Sequence, residues 1–233
     1  MKKISFVLRL VFWYLFMSKV FSNDFWDHAM KTHYDQRVSL FNTMKIKDGS
    51  VIMLGNSITA SCNWSELFGV DNVINRGIGG DTTEGILERI EFLKTCNPDA
   101  VFLLIGTNDL SKGKTPDEIL INYKKIVSRI RKYNPELDLF IQSVLPINEK
   151  YFLLPPKYDN KKIKLLNRMI KKLEGDKVTY INLFDNFLDS SGNLKSEYSN
   201  DGLHLSGTGY QRWKNILIES CDKFKYKRLN KSA

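Results

Sequence analysis

Apolar positions change rhythm along this chain. From Phe25 to Phe41 the residues Phe25, Met30, Tyr34, Val38 and Phe41 recur every three to five positions, with Trp26 and His33 beside the stripe, which predicts a helix. "SVIML" (50–54) and "NVIN" (72–75) are short apolar runs that end at glycine or polar loops. "DAVFLLIG" (99–106) is continuously apolar, as a strand covered on both faces should be. "LDLFIQSVL" (137–145) and "VTYINLF" (178–184) complete five predicted strands. Helical patterns fall between and after them. Residues 82–94 carry Ile86, Ile90 and Leu93 on one face, and 115–133 opens with Thr115 as N-cap, Pro116 in the first turn and Glu118 closing a capping box. A basic-faced helix over 158–173 and a final helix over 209–220 follow.

Strands alternating with helices predict a three-layer α/β/α sandwich on a parallel sheet of about five strands. No Pro/Gly/Ser linker and no internal repeat divides the chain, so residues 23–222 read as one domain that begins with the N-terminal helix. The longest irregular stretch, "PINEKYFLLPPK" (146–157), reads as a lid, a substrate-side wall or an ordinary surface loop. Ligands of open α/β sheets sit outside the carboxyl ends of the strands. Polar punctuation falls at those ends repeatedly: "GNSIT" (55–59), "NRGIGGDTT" (75–83), "GTND" (106–109) and the Asp201–His204 segment. Four segments far apart in sequence therefore converge on one rim.

Composition changes this picture little. Hydrophobic residues at 42% and aromatic residues at 12% suit a folded domain. The net charge of +9 suggests a nucleic-acid partner until its distribution is read. Residues 1–22 hold four basic residues and no acid, residues 223–233 hold five and no acid, and the 26 that remain balance the 26 acids. The body is neutral, and no nucleic-acid surface is implied. Residues 1–22 have the layout of a secretory signal peptide, with Lys2 and Lys3 before an apolar run, although Arg9 interrupts it and Phe21 is bulky near the cut. An uncleaved amphipathic anchor and a buried first helix are the alternatives. The run is too short for a comfortable membrane span, so the mature form is expected to have none and to be exported, periplasmic or extracellular. Residues 223–233 read as a short basic tail. Cys62, Cys96 and Cys221 have no paired spacing and suggest neither a metal site nor a disulfide framework.

The polar segments carry a chemistry. Ser57 lies just past a strand where a helix begins. A serine hydroxyl is a poor nucleophile until an imidazole takes its proton. His204 is the one histidine outside the N-terminal helix, and Asp201, three positions earlier, can orient it. The oxyanion formed on attack needs fixed donors. The N–H of Ser57, the N–H of Gly80 and the side-chain amide of Asn108 fit, because glycine allows close backbone approach and an amide donates without charge. Asn75, Asp81 and Asp109 read as loop support, while Met53, Trp64 and Trp213 read as core. The rival reading of Ser57 is a plain helix N-cap.

In these four segments the chain resembles the SGNH, or GDSL-like, hydrolases. "GNSIT" matches the block that holds the nucleophile, "NRGIGGDT" the block with the oxyanion glycine, "GTND" the block with the oxyanion asparagine, and "DGLHLS" the block with the acid and base. Their wording resembles the branch of platelet-activating-factor acetylhydrolase catalytic subunits and secreted bacterial acetylesterases. The resemblance implies a flavodoxin-like fold, no metal or organic cofactor, and a Ser57–His204–Asp201 triad. It also implies a small-molecule or glycan ester substrate, acetyl first. A lysophospholipase or thioesterase, or a weakly catalytic carbohydrate-binding descendant, are the alternatives. One departure stands out: Asn56 occupies a position where the family usually has aspartate.

Overall fold

The computed structural model describes residues 23–151 and 158–224. The expected leader (1–22), the end of the basic tail (225–233) and residues 152–157 of the irregular stretch lie outside the described residues. The elements run α1 (Asn23–Thr43), β1 (Val51–Gly55), α2 (Ser57–Ala60), α3 (Trp64–Phe68), β2 (Val73–Gly77) and α4 (Thr83–Arg89). They continue β3 (Ala100–Leu104), α5 (Thr107–Ser111), α6 (Pro116–Tyr133), β4 (Asp138–Gln142), α7 (Asn160–Lys171), β5 (Val178–Ile181), α8 (Phe184–Phe187) and α9 (Gly207–Ser220). All strand pairs are parallel, in the order β2-β1-β3-β4-β5. That is the flavodoxin-like arrangement of a three-layer sandwich.

Strand periodicity explains the three layers. Successive residues of a strand point to opposite faces. Ile52, Leu54, Val101 and Leu103 join one core with residues of α4, α6 and α7, including Ile86, Ile126 and Leu166. Their neighbours Val51, Met53, Phe102 and Leu104 join the other core with Trp64, Phe68, Trp213 and Leu217. Trp64, Trp213 and Met53 are core residues, as expected. The Trp213 indole donates to Gln142 Oε1 at 2.6 Å, with both residues fully buried. The Thr115–Glu118 capping box opens α6 with Pro116 in its first turn.

Several boundaries differ from the sequence reading. The strand expected over 137–145 ends at Gln142; the Ser143 N–H still donates to the Ile181 carbonyl at 2.9 Å, and from there side chains take the backbone bonds. Ser143 Oγ accepts from the N–H groups of Leu183 and Phe184 at 2.8 and 2.7 Å, and the Asn167 amide pairs with both backbone groups of Val144. The helix expected over 82–94 is α-helical only to Arg89 and continues as a 3₁₀ turn over Ile90–Lys94. The apolar stripe of α1 is not core: Phe25 and Met30 are 45% and 41% exposed. That helix lies instead on the loop after β2 and on α4, where the Tyr34 hydroxyl donates to the Gly85 carbonyl at 2.8 Å. Phe41 carries the guanidinium groups of Arg37 and Arg76, 4.6 and 4.7 Å from its ring centre.

At the other end, packing continues two residues past Asp222. Phe224 is buried and stacks on Phe68 with ring centres 4.3 Å apart, and Lys223 pairs with Asp138 at 2.7 Å. Cys62 and Cys221 are buried and Cys96 half-buried, all three as free thiols. Among the described residues no helix is long and apolar enough to cross a membrane.

Trp213→Phe keeps most of the ring but removes the donor to Gln142 Oε1, the one found among the described residues, leaving a buried acceptor without its bond. Urea unfolding should show a loss of about 1–3 kcal/mol, the usual cost of stranding a buried polar group.

Candidate active site

Strand register brings the polar segments together. Gly55 at the end of β1 pairs with Gly77 on one side and Leu104 on the other. Ser57 follows Gly55 by two residues, Gly80 follows Gly77 by three and Asn108 follows Leu104 by four, so all three emerge at one rim.

Ser57 opens the short helix α2, and Asn56 is its N-cap, with Oδ1 accepting from the N–H of Ile58 at 3.0 Å. Ser57 is therefore not the cap itself, which removes the rival reading of that serine. Asn56 is fully buried, and its Nδ2 has no hydrogen-bond partner among the described residues. Gly77 lets α2 close onto β2, since a Cβ there would overlap the backbone of Ala60. Asn75 locks the junction. Its Nδ2 donates to the carbonyls of Thr59, Ala60 and Cys62 at 2.9–3.1 Å, and its Oδ1 accepts from the N–H of Gly77 at 2.8 Å. The Tyr210 hydroxyl of α9 adds a bond to the Ile58 carbonyl at 2.7 Å.

From the opposite wall, His204 Nε2 lies 3.0 Å from Ser57 Oγ, and its Nδ1 lies 2.7 Å from Asp201 Oδ2. With Nδ1–H donating to the carboxylate, Nε2 is left to accept the serine proton. The second oxygen of Asp201 accepts from the N–H groups of Leu203 and His204 at 2.9 and 2.7 Å. Burial would raise this carboxyl, but the bonds from the His204 ring and from these two N–H groups outweigh it and hold it below the usual carboxylate range. The loop is braced from the described part of the 146–157 stretch, where the N–H of Asn148 donates to the Gly202 carbonyl at 2.8 Å. The side chains of His204 and Asp201 remain 42% and 53% exposed, so solvent reaches the acid–base pair.

The loop after β2 is held far more tightly. Gly80 has φ +72°, a backbone conformation that side chains rarely adopt, and a Cβ there would meet the terminal methyl of Met30 on α1, which would have to shift. The Asn108 amide donates to the Asp81 carbonyl at 2.8 Å, which engages one of its two N–H groups. The Asp81 carboxylate pairs with Arg89 and accepts from the N–H of Thr82, and Arg89 also donates to the Gly55 carbonyl at 3.1 Å. Burial pushes the Asp81 carboxyl up, against the pull of Arg89 and the Thr82 N–H. Asp109 is fully buried and accepts from both the N–H and the hydroxyl of Thr83, starting α4. Burial raises its carboxyl too, with the Thr83 bonds opposing.

Thus Ser57, His204 and Asp201 form one continuous hydrogen-bonded chain, and Asn56, Asn75, Asp81 and Asp109 brace the loops that hold Ser57, Gly80 and Asn108. Arg89, Thr83 and Met30 are the additions that sequence reading missed. Arg89 had a signal: it is a charge beside Ile86 and Ile90 on the apolar stripe of its helix. Met30 had none, because a helical stripe says nothing about which loop it covers.

Ser57 Oγ thus stands at hydrogen-bond distance from an imidazole nitrogen, at the rim where the loops after β1, β2 and β3 leave the sheet. The model of the GDSL-like lipase/acylhydrolase family matches residues 53–212. The rat platelet-activating factor acetylhydrolase IB subunit alpha2 is 30% identical over 175 residues, covering 72% of this chain and 74% of that protein. A solved structure from Streptococcus pneumonia, named for platelet activating factor, superposes with a TM-score of 0.79 at 29% identity, covering 84% of this chain and 96% of that one. A GDSL-like lipase from Bacteroides thetaiotaomicron shares the fold, with a TM-score of 0.67 at 22% identity over 80% of this chain and 96% of its own. Sequence match, relatives and architecture agree: the chain belongs to the GDSL-like lipase/acylhydrolase family and is a carboxylic ester hydrolase.

Proposed function

We propose that this protein is a serine esterase for short-chain esters, acetyl first, carried on carbohydrates, acting through Ser57, His204 and Asp201 in an exported enzyme. The observation that carries the reading is the unbroken path from Ser57 Oγ through both ring nitrogens of His204 to Asp201. His204 Nε2 takes the hydroxyl proton as Ser57 Oγ bonds to the ester carbonyl carbon, and Asp201 stabilises the imidazolium. The N–H groups of Ser57 and Gly80 and the free N–H of the Asn108 amide receive the oxyanion. As the tetrahedral species collapses, the bond to the leaving alcohol breaks and His204 returns the proton to its oxygen. Water then enters by the same steps, with His204 as base, releasing the acid and restoring Ser57.

The acetyl preference is supported by the name of the rat acetylhydrolase relative. Carbohydrate is favoured because an enzyme with the expected leader would meet acetylated glycans outside the cell. A second reading, a lysophospholipid or thioester substrate, is favoured by one feature: Phe25, Trp26 and Met30 stand exposed on α1, and Met30 touches the Gly80 loop. Asn56 serves as a brace here, because its amide oxygen already caps α2 as a carboxylate oxygen would.

The purified chain should hydrolyse p-nitrophenyl acetate faster than the butyrate and the octanoate. A rise with chain length would favour the lipid reading. Ser57→Ala should lose nearly all turnover and all labelling by a serine-reactive phosphonate while keeping its fold. Asn108→Ala should lower kcat by on the order of 10²–10³, the worth of one oxyanion donor. Normal turnover in either variant rejects the assignment.

Asn56→Asp should change kcat by less than about tenfold, since either residue offers the capping oxygen. Asn56→Ala removes it and should cost about 1–2 kcal/mol in thermal or urea unfolding. A larger gain in the aspartate variant would mean that charge at this position, not shape, sets the rate.

A further inference from the structure

We infer that Arg89 is a positioning residue for the ester hydrolysis, holding the Asn108 amide in its donating orientation through the peptide unit of Asp81. The inference builds on the proposed function, in which that amide receives the oxyanion. Arg89 ends α4 and is 7% exposed. Its Nε and Nη2 lie 2.9 and 2.7 Å from one carboxylate oxygen of Asp81, and Nη2 also donates to the Gly55 carbonyl at 3.1 Å. Gly55 is two residues before Ser57, and Asp81 directly follows Gly80. One guanidinium thus ties the segment that carries the nucleophile to the loop that carries the oxyanion glycine.

The third oxyanion group is held at one remove. The Asp81 carbonyl accepts from Asn108 Nδ2 at 2.8 Å. A side-chain amide turns readily about its last torsion, and half a turn exchanges its donor end for its acceptor end. The Asp81 carbonyl selects the donor end, and the second N–H is left for a ligand. That carbonyl is itself fixed by its own side chain, with Oδ2 on Arg89 and Oδ1 accepting from the N–H of Thr82 at 2.8 Å. A buried ion pair of this kind adds little net stability over apolar packing, because both charges lose their hydration. Its geometric consequence is larger: the two segments and the amide keep one mutual arrangement before any substrate arrives, which is what an oxyanion site requires. A lysine at this position would keep the charge but not the fork that spans Asp81 and Gly55.

A double-mutant cycle on p-nitrophenyl acetate tests the route. Arg89→Met should lower kcat by about 10- to 100-fold, part of the worth of an oxyanion donor, with KM changed by less than about threefold, and Arg89→Lys should fall between it and wild type. Adding Arg89→Met to Asn108→Ala should cost less than about threefold more, since no amide remains to be positioned. Asp81→Asn, close in shape and lacking the charge that holds Arg89, should behave like Arg89→Met in the same cycle and serves if that variant does not fold. Effects that multiply with Asn108→Ala, or a folded Arg89→Met or Asp81→Asn within twofold of wild-type kcat, would overturn the inference. Absence of Ser57-dependent turnover in the wild type would instead reject the proposed function, and the inference with it.

Discussion

Everything at the rim depends on how three parallel strands end. Gly55 stands opposite both Gly77 and Leu104, so the loops after β1, β2 and β3 leave the sheet at one level. Side chains alternate along a strand, and β1 and β3 are buried on both faces, so each register is fixed by two cores at once. A one-residue slip would exchange Ile52 and Leu54 with Val51 and Met53 between those cores and would move Ser57 off the level of Gly80 and Asn108. The small size of Gly77 belongs to the same constraint, since it allows α2 to close on β2.

Two kinds of support meet around that rim. Behind Ser57, Gly80 and Asn108 the polar groups are buried and densely bonded: Asn56, Asp81, Arg89 and Asp109 are all below one tenth exposed. In front stand His204 and Asp201, roughly half exposed and held by backbone N–H groups of their own loop. The division suits the proposed reaction, in which Ser57, Gly80 and Asn108 supply the donors and His204 the base. Donors aimed at a developing charge act best when they need not reorganise, whereas the base must meet water in the second half of the cycle. Low dielectric behind the site strengthens the bonds that fix the donors, and the same low dielectric explains why burial raises the carboxyls of Asp81 and Asp109.

The N-terminal helix has an unusual place in this arrangement. It adds little to either core and instead covers the loop after β2 and the start of α4, with Met30 on Gly80 and Tyr34 bonded to Gly85. A cleft of about 430 Å³ opens between α1 and α4, with Met30, Tyr34, Gly80 and Asp81 among its walls. The helix thus shapes the surroundings of the site rather than the stability of the sheet.

The flavodoxin-like strand order came only with the family resemblance, whereas the alternation of strands and helices and the residues of the hydrogen-bonded chain were legible in the residues themselves. Those features are written in local signals: apolar runs for β1 and β3, the Thr115–Glu118 box for α6, and polar residues at strand ends for Ser57, Asn108 and His204. Asn75 and Asp109 could be assigned a supporting part because they stand beside those groups. What each support touches was settled by packing between elements far apart in the chain. Arg89 lies 34 residues from Gly55, and Met30 lies 50 from Gly80, and no periodicity encodes such a meeting. The true end of β4 was hidden too, because the Asn167 amide takes both backbone groups of Val144 and the Ser143 hydroxyl takes the N–H of Leu183, across long separations. Periodicity reports which face of an element is buried, while a contact between two elements exists only once the sheet has set their distance and angle.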